Sequence, residues 1–177
     1  MRFDEIVAIL KAQVSEDKFI NMNAEVLQPY VEIVAEALPA IARILYEHPE
    51  LYFDYLACIT GIDNGPEVGT MEVIYNLNSI PFSHQLTLRV TVQRNSTEEE
   101  LPVVPTVSHI WRTADWHERE IYDLLGIRFE GHPDMRRILL PEDWVGHPLR
   151  KDYEVQEYYH GIRVKYENRD DPGAIDA

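Results

Sequence analysis

Cysteine is nearly absent from this chain of 177 residues, and Cys58 is the only thiol. A single cysteine cannot form an intrachain disulfide, and it leaves too few thiolates for an iron-sulfur cluster or a cysteine-rich zinc site. Because Cys58 lies within an apolar, strand-like run, the sequence predicts a core residue. Positive charge is also scarce, since 16 Lys and Arg face 31 Asp and Glu, for a formal net charge of -15. Such a chain repels phosphate backbones and anionic lipids, which disfavours autonomous binding to nucleic acid or membranes.

Long apolar runs and nucleotide-binding patterns are missing as well. No stretch approaches the roughly 20 apolar residues of a membrane-spanning helix. The first ten residues, MRFDEIVAIL, are too acidic for the basic start of a signal peptide, so we expect a soluble chain. The patterns GxGxxG, GxxxxGK(S/T) and GxSxG do not occur, which leaves no sequence case for a nucleotide cradle or a nucleophile elbow.

With 45% hydrophobic residues the chain is long enough for one domain with a substantial core. Helical spacing of apolar residues predicts a short opening helix over residues 4–14. Residues 30–34 alternate like a strand, and a helix over residues 35–48 follows. Three strand-like runs, at residues 51–62, 70–78 and 84–94, are separated by turn-forming residues and indicate an antiparallel meander. The sequence therefore predicts an α+β fold, in which a small, mostly antiparallel sheet packs with helices.

A helical block and an extended C-terminal tail are predicted to follow this sheet. Thr106 is a candidate N-cap for a helix over residues 106–111, and Asp115 for a second helix over residues 115–125. Gly126 then stands where a left-handed residue commonly ends a helix. Beyond it, four prolines interrupt the chain and no long periodic run occurs. We therefore expect a single α+β domain over residues 1–125, including the helical block, and a proline-containing, partner-docking tail over residues 126–177.

The second predicted helix has one charged side. At about 100° per residue, Trp116, Arg119, Glu120 and Asp123 fall opposite the apolar side that contains Ile121. The two carboxylates could act as acid and base or hold a cation, but on a lone helix a solvated face with local ion pairs is favoured. A protein interface is a third interpretation, because tryptophan and arginine dominate binding hot spots.

The histidines do not form a metal-binding pattern. His117 and Glu118 begin like the zinc-protease motif, but Ile121 stands where the second histidine is required, which excludes a metalloprotease. Structural roles are favoured over a metal site because close paired spacing is missing among His109, His117, His132 and His147. A free-standing metal-dependent hydrolase is therefore only a remote alternative.

Two Gly-His-Pro triplets, at residues 131–133 and 146–148, repeat one short turn device, and basic residues follow each of them. Residues 128–151 contain five basic and four acidic side chains, a net charge of +1 within a chain of -15. Taken alone, the triplets indicate turns with neighbouring surface arginines. The functional alternative is an extended strip that presents arginines to carboxylates on another subunit.

The string EREIYDLLGIRFEGHPDMRR, residues 118–137, resembles the signature of the 30 kDa subunit family, the C subunit of the proton-pumping NADH:quinone oxidoreductase, respiratory complex I. The likeness continues through ILLPEDW and GHPLRKDY. Upstream, HPELYFDYLACITGID is similar to the strand that precedes the family's meander, so the resemblance covers most of residues 47–153. One departure is Glu154, where many members have proline, and it concerns only the path of the tail. The chain resembles the unfused form of the subunit.

The resemblance implies a peripheral-arm, non-catalytic subunit of a translocase at the cytoplasmic face of the bacterial inner membrane. No cofactor is expected on this chain, because FMN, the iron-sulfur clusters and quinone would be bound by partner subunits. Its expected partners are the large quinone-site subunit and the neighbouring iron-sulfur subunits. The residues that the resemblance and the hot-spot argument place in the signature or at the interface are Trp116, Glu118, Arg119, Glu120, Asp123, His132, Arg136, Arg137, Trp144, His147 and Arg150.

Within this set we expect an ion and hydrogen-bond network against the large subunit, with Trp116 and Trp144 as apolar anchors. The charged members of the expected network are Arg119, Glu120, Asp123, Arg136 and Arg137. The main alternative keeps the subunit type but places it in a related membrane hydrogenase or ferredoxin-linked quinone reductase.

Overall fold

A five-stranded sheet forms the centre of the protein, for which the computed structural model describes residues 1–94 and 100–164. Its strand order is β1-β2-β5-β4-β3, and every neighbouring pair is antiparallel except β2 with β5. The predicted α+β fold and the meander are therefore confirmed. The strands are β1 (Phe19–Asn23), β2 (Tyr30–Ile33), β3 (Tyr55–Asp63), β4 (Thr70–Ser79) and β5 (His84–Gln93).

Strand β1 and the parallel pairing of β2 with β5 are the parts of the sheet that the sequence did not predict. In β1 the adjacent residues Ile20 and Asn21 are both exposed, and the pairing register shifts beside them, so no alternating pattern marks the strand. The parallel pair aligns Val31 with Leu88, which are far apart in the sequence. Tertiary packing decides such a pairing, and a local pattern does not encode it.

Two helices pack with the sheet in one hydrophobic core. Helix α1 (Phe3–Gln13) buries Ile6 and Leu10, and helix α2 (Leu38–Glu47) buries an apolar stripe that includes Ile41 and Leu45. A 3₁₀ turn at Ala35–Ala37 precedes α2, so the helix predicted over residues 35–48 is confirmed with its first turn wound more tightly. Cys58, in contrast, is only half-buried, and Asn76 on the neighbouring strand donates a hydrogen bond to its Sγ. The prediction of a core cysteine is wrong because Cys58 lies on the outer face of the sheet.

The helix predicted over residues 106–111 is wrong. This segment forms isolated turns, in which the amides of Ile110 and Trp111 donate to the carbonyl of Val107. The hydroxyl of Thr106 accepts from the amide of Ser108 and donates to a carboxylate on the next helix, instead of capping a helix of its own. Hydrogen bonds to neighbouring backbone and to distant side chains are a known way in which threonine favours turns over helices.

Helix α3 (Ala114–Leu125) follows, and it ends at Gly126 with φ 71°, as predicted. Its Ile121 and Leu125 pack against Gly61 of β3 so closely that a Cβ on Gly61 would lie 2.5 Å from Leu125 Cδ1. Thr113 forms the N-cap position, but its hydroxyl donates to the carbonyl of Leu56 and makes no capping bond, and Asp115 lies in the first helical turn. Asp115 therefore occupies a position where a negative charge favours the helix without being the cap itself.

After α3 the chain forms one more strand that packs with the core. Strand β6 (Val103–Pro105) pairs in parallel with β7 (Arg128–Glu130), and Ile127 and Phe129 are buried in the core. A boundary at residue 125 therefore falls inside packed structure. Residues 131–157 form turns and bends, and a short hairpin of β8 (Tyr158–Tyr159) and β9 (Ile162–Arg163) follows. Within residues 1–94 and 100–164, no helix is both long and apolar enough to cross a membrane. Residues 165–177 of the predicted tail lie outside the described residues.

Candidate interface beside the third helix

Asp123, in the last turn of α3, organises the segment of residues 137–150, which follows β7. Its Oδ2 accepts hydrogen bonds from three consecutive backbone amides, those of Ile138, Leu139 and Leu140, at 3.0, 2.7 and 2.9 Å. Its Oδ1 accepts from Arg137 Nη1 at 2.8 Å. Burial by itself would raise the pKa of Asp123, but the backbone bonds and Arg137 lower it below its ordinary value. The expectation that Asp123 lies on an exposed charged face is wrong, because its side chain is fully buried.

The carbonyl groups that end α3 are bonded by residues of the same segment. Arg137 Nη1 and His147 Nδ1 lie 3.0 and 2.9 Å from the carbonyl oxygen of Asp123, and the amide of Leu149 donates to the carbonyl of Leu124. Arg150 donates to the carbonyl oxygens of Leu125 and Gly126 at 2.7 and 3.3 Å. A helix leaves its last four carbonyl groups without helical partners, and cationic side chains there also interact favourably with the negative end of the helix dipole. Together with the amide of Gly126, which donates to the carbonyl of Tyr122, the segment thus bonds the last four carbonyl groups of α3.

Two arginines fix the path of the segment, one from within it and one from α3. Arg137 Nη2 donates to the carbonyl oxygens of Trp144 and Gly146 at 3.0 and 2.9 Å. Arg119, one turn before Asp123 on α3, donates to the carbonyl oxygens of residues 136 and 137, both at 3.2 Å. Because guanidinium groups supply several donors in a fixed plane, two of them hold the path of about ten residues that lack regular secondary structure.

Glu118 forms a second buried centre on α3. The Thr106 hydroxyl and the Val107 amide donate to its carboxylate, the amide at 2.8 Å. Burial raises the pKa of Glu118 to about 7, because desolvation outweighs these two hydrogen bonds, and the charge of Asp115 raises it further. The burial of Glu118 was not predicted from the sequence, because a glutamate in a helix with many charged residues gives no sign of burial.

His132, in the first Gly-His-Pro triplet, lies beside this centre. Its Nδ1 accepts from the amide of Asp134 at 3.0 Å, which leaves Nε2 to donate to the carbonyl of Asp115 at 3.2 Å. That bonding pattern assigns a neutral ring with the proton on Nε2. The Nε2 atom also lies 3.9 Å from Glu118 Oε2. His132 therefore anchors the turn over residues 131–134 to the start of α3.

The segment exposes three large apolar side chains, Leu139, Val145 and Leu149 (61%, 63% and 59% exposed). The backbone beside them is nevertheless bonded: the amides of residues 138–140 and 149 donate to α3, and the carbonyls of residues 144 and 146 accept from Arg137. Trp116 on α3 is 66% exposed, and the guanidinium of Arg119 lies 6.0 Å from its ring centre. We call Trp116, Leu139, Val145 and Leu149 the apolar surface.

The residues singled out from the sequence thus divide into three groups. Glu118, Asp123 and His147 are buried, and Trp116, Glu120 and Arg136 are exposed. The other five are half-buried as whole residues, although the side chain of His132 is 0% exposed. Among these five, Trp144 donates to the Tyr153 hydroxyl at 3.0 Å, and its ring centre lies 5.1 Å from that of Tyr159. Within residues 1–94 and 100–164 there is no cluster of three His, Cys, Asp or Glu side chains that could hold a metal ion.

Sequence reasoning missed Leu139, Val145 and Leu149. Exposed apolar residues in a proline-rich stretch carry no periodic pattern. The sequence offered one indirect signal. Asp123 and the end of α3 lie close enough along the chain to Arg137 and to the second Gly-His-Pro triplet for these residues to bond and so to hold the stretch between them.

A small domain with a rigidly held apolar surface has the construction of a subunit in a larger assembly. A family model matches residues 31–159, and the chain belongs to the family that this model describes, the 30 kDa subunit of respiratory-chain NADH dehydrogenase. The chain is therefore a subunit of a multisubunit respiratory assembly of the complex I type.

Two curated relatives are named as the C subunit of NADH-quinone oxidoreductase. The protein of Chloroherpeton thalassium is 48% identical over 152 residues, which are 85% of this chain and 60% of that protein. The protein of Chlorobium phaeobacteroides is 45% identical over 140 residues, which are 78% of this chain and 81% of that protein. The chain thus spans less than two thirds of the first relative and most of the second.

The fold is shared more widely. A chain in the structure of the membrane-bound sulfane sulfur reductase, an archaeal respiratory membrane complex, superposes with a TM-score of 0.72 at 22% identity. The match covers 94% of this chain and 96% of the other. Likeness at this identity establishes a common fold.

Proposed function

We propose that this chain is the 30 kDa subunit of a proton-translocating NADH:quinone oxidoreductase and that it performs no redox step itself. In this proposal it docks on the large quinone-site subunit, beside the iron-sulfur subunits, at the cytoplasmic face of the bacterial cell membrane. FMN, iron-sulfur clusters and quinone are bound by those partners. The chain holds the cluster-bearing and quinone-binding subunits in a geometry that permits electron transfer.

The observation that carries the proposal is that several signature residues form hydrogen bonds within this chain. Asp123, Arg137, His147 and Arg150 are bonded to this chain's own backbone and to one another. They therefore act as supports that fix residues 137–150 against α3. Fixing the backbone of a residue costs about 1–2 kcal/mol of conformational entropy. Because buried ionic contacts offset this cost over a segment that has no regular structure, we look for a function that requires the segment to be ordered. Docking supplies one, because a preordered surface loses little entropy when it binds.

The apolar surface supplies the contacts that such docking needs. Leu139, Val145 and Leu149 extend from a rigid backbone, and Trp116 adds an aromatic side chain of the kind that dominates binding energies. The surrounding residues 128–151 carry a net charge of +1 in a chain of -15. A partner surface with an apolar centre and acidic residues at its edge fits this surface best.

The test is recovery of the complex with surface variants. Leu149→Ser and Trp116→Ser remove apolar contacts and leave the side chains of Asp123, Arg137, His147 and Arg150 in place, and Arg136→Ala removes an exposed guanidinium. The matched control is Val68→Ser, which changes a residue of similar exposure in the turn between β3 and β4 (64%). Each tagged chain is isolated from native membranes in mild detergent, its partners are quantified by mass spectrometry, and NADH:quinone reductase activity is assayed.

We expect the control to recover the large subunit, and we expect recovery with Leu149→Ser or Trp116→Ser to fall at least about tenfold, the effect of 1.4 kcal/mol. Normal assembly of these variants with loss of electron transfer would overturn the scaffold role. Recovery of the wild-type chain alone, with a stoichiometric metal ion, would favour a free-standing metal-dependent enzyme.

A second candidate keeps the scaffold role but changes the complex. The alternative is a related ferredoxin-linked or hydrogenase-type assembly, because a fold shared with a chain of another respiratory membrane complex, the archaeal sulfane sulfur reductase, does not fix which complex a subunit joins. The same isolation distinguishes the two, because hydrogenase-type or ferredoxin-linked subunits without NADH activity would identify the alternative.

A further inference from the structure

An open groove of about 960 Å³ crosses the protein away from the apolar surface. Asn76 lines it and alternates along β4 with the buried residues Tyr75 and Leu77, so it faces outward from the core. Gly61, against which α3 packs, pairs with Val73 on the core side of the same sheet. The groove therefore lies mainly on the sheet face opposite α3.

The groove is lined by apolar side chains and by polar side chains that are mostly amides and hydroxyls. Four carboxamides line it, those of Gln28, Asn76, Asn78 and Gln85, and no Asp, Glu, Lys or Arg is among the described residues that do so. In a chain with 27% charged residues, a groove of this size without one is unexpected. Carboxamides carry both donors and acceptors, which match the N–H and C=O groups of an extended peptide.

One end of the groove opens beside an apolar hairpin tip. Ile80 and Phe82, in the turn between β4 and β5, are both exposed, and Tyr52 and Tyr55 are exposed on the neighbouring segment. The two segments are joined where the amide of Ile80 donates to Asp54 at 2.9 Å. Contiguous exposed apolar side chains of this size mark binding surfaces in soluble proteins.

The same end contains several features that stability alone disfavours. Tyr52 and Ser83 have φ of 38° and 51°, a left-handed conformation that costs residues other than glycine on the order of 1 kcal/mol. Ser79 Oγ and His84 Nδ1 are buried without hydrogen-bond partners among the described residues, and both residues line the groove. His84 Nε2 lies 2.6 Å from the Leu51 carbonyl oxygen, so Nδ1 is left as an acceptor. Strained backbone and unpaired buried polar atoms cluster at functional sites.

We propose that the groove and hairpin tip bind an uncharged, extended segment of another subunit of the same assembly. Peptide groups of that segment pair with the carboxamides of Asn78 and Gln85, and one of its apolar side chains packs against Ile80 and Phe82. The lining offers no Asp, Glu, Lys or Arg side chain as a counter-charge, which favours such a segment, because a lysine or glutamate buried there would lack a charged side-chain partner of these types. This surface is separate from the apolar surface beside α3, so the chain would join two neighbours.

The test introduces a charge into the groove and the same charge elsewhere on one strand. Gln85→Lys and Gln93→Lys change exposed glutamines of β5, of which only Gln85 lines the groove. Thermal unfolding of both purified variants should match that of the wild type. In complexes isolated from native membranes, we expect Gln85→Lys to lower recovery of one subunit at least about tenfold and Gln93→Lys to leave it unchanged. Equal recovery with both variants would overturn the proposal.

Crosslinking then identifies the occupant and separates this proposal from the docking proposal. A photoreactive amino acid at Phe82, with one at Val68 as the control, should crosslink in the intact complex to an uncharged segment of a different subunit. A crosslink to a second copy of this chain or to its own residues 165–177 would overturn the proposal. The Leu149→Ser variant should keep the Phe82 crosslink partner while losing the large subunit. If docking beside α3 fails as a proposal, Leu149→Ser has no effect while the Gln85→Lys result stands.

Discussion

Arg137 donates to both the backbone carbonyl and the carboxylate of Asp123, at 3.0 and 2.8 Å. The pair is largely buried, with the Asp123 side chain 0% and the Arg137 side chain 15% exposed. It joins the end of a helix to a segment that has no regular structure. The stability of that segment should therefore depend on one ionic contact and the backbone amides beside it.

Asp123→Asn should destabilise the protein by on the order of 3 kcal/mol, because it removes one partner of a buried ion pair and leaves Arg137 without its counter-charge. Urea unfolding of the purified chain at pH 7 measures the loss. The control is Asp134→Asn, which removes a carboxylate that pairs with Arg136 at the surface. We expect that variant to unfold at nearly the same urea concentration as the wild type. Equal losses would show that the Asp123 pair is not a support.

Glu118→Gln should change how stability depends on pH. Burial raises the pKa of Glu118 in the folded protein to about 7 from 4.5, so the folded state binds this proton more tightly than the unfolded state. The resulting stability is fully present below pH 4.5 and is lost as the pH rises through 7. At 1.36 kcal/mol per pKa unit the loss is about 3 kcal/mol. The difference between wild-type and Glu118→Gln unfolding free energies should therefore vary over this window, and a constant difference would contradict the assignment.

Gly126→Ala should be far more costly than Gly69→Ala, although both glycines have φ 71°. Each alanine carries the left-handed backbone cost of roughly 1 kcal/mol. At residue 126 the new Cβ would also lie 2.5 Å from the His147 ring and 2.6 Å from Arg150, whereas at residue 69 no atom lies within 4 Å. Thermal unfolding of both variants gives the comparison. Similar melting temperatures would mean that His147 and Arg150 move aside at no cost.

Asp63 should contribute to acid stability through a network at the end of β3. Burial opposes ionisation of this carboxyl, but amide donation from Lys151 and Gly65, together with Arg94, lowers its pKa below 3.8. Its contribution is present above that value and is lost as the pH falls through the lowered pKa. Asp63→Asn should therefore cost on the order of 3 kcal/mol at pH 7 and progressively less below about pH 4 in urea unfolding. Asp152→Asn, at a more exposed carboxylate that also pairs with Arg94, is the control and should show little of this pH dependence.

The sequence predicted the elements whose signals are local. Apolar periodicity identified α2 and the meander, and Gly126 marked the end of α3 because only glycine adopts a left-handed conformation cheaply. The parallel pairing of β2 with β5 was not predictable in this way, since it depends on contacts between distant residues.

The burial of charged residues in the candidate site also depends on distant contacts that local sequence signals do not reveal. On a helical wheel Asp123 belongs to the polar side of α3, yet it is buried because residues 137–140 supply four donors to it. The burial of Glu118 depends likewise on Thr106 and Val107, which precede the helix. Amphipathic patterning assigns charges to solvent, and it fails where another segment satisfies them.

The closure of the α3 C-terminus has a consequence for how the chain folds. The side chains that bond its last carbonyl groups lie only 14 to 25 residues further along the chain. Loop closure over such short distances is entropically inexpensive and fast. Helix α3 and residues 137–150 can therefore assemble as one local unit soon after they leave the ribosome, so that the newly made subunit meets its partners with this surface already formed.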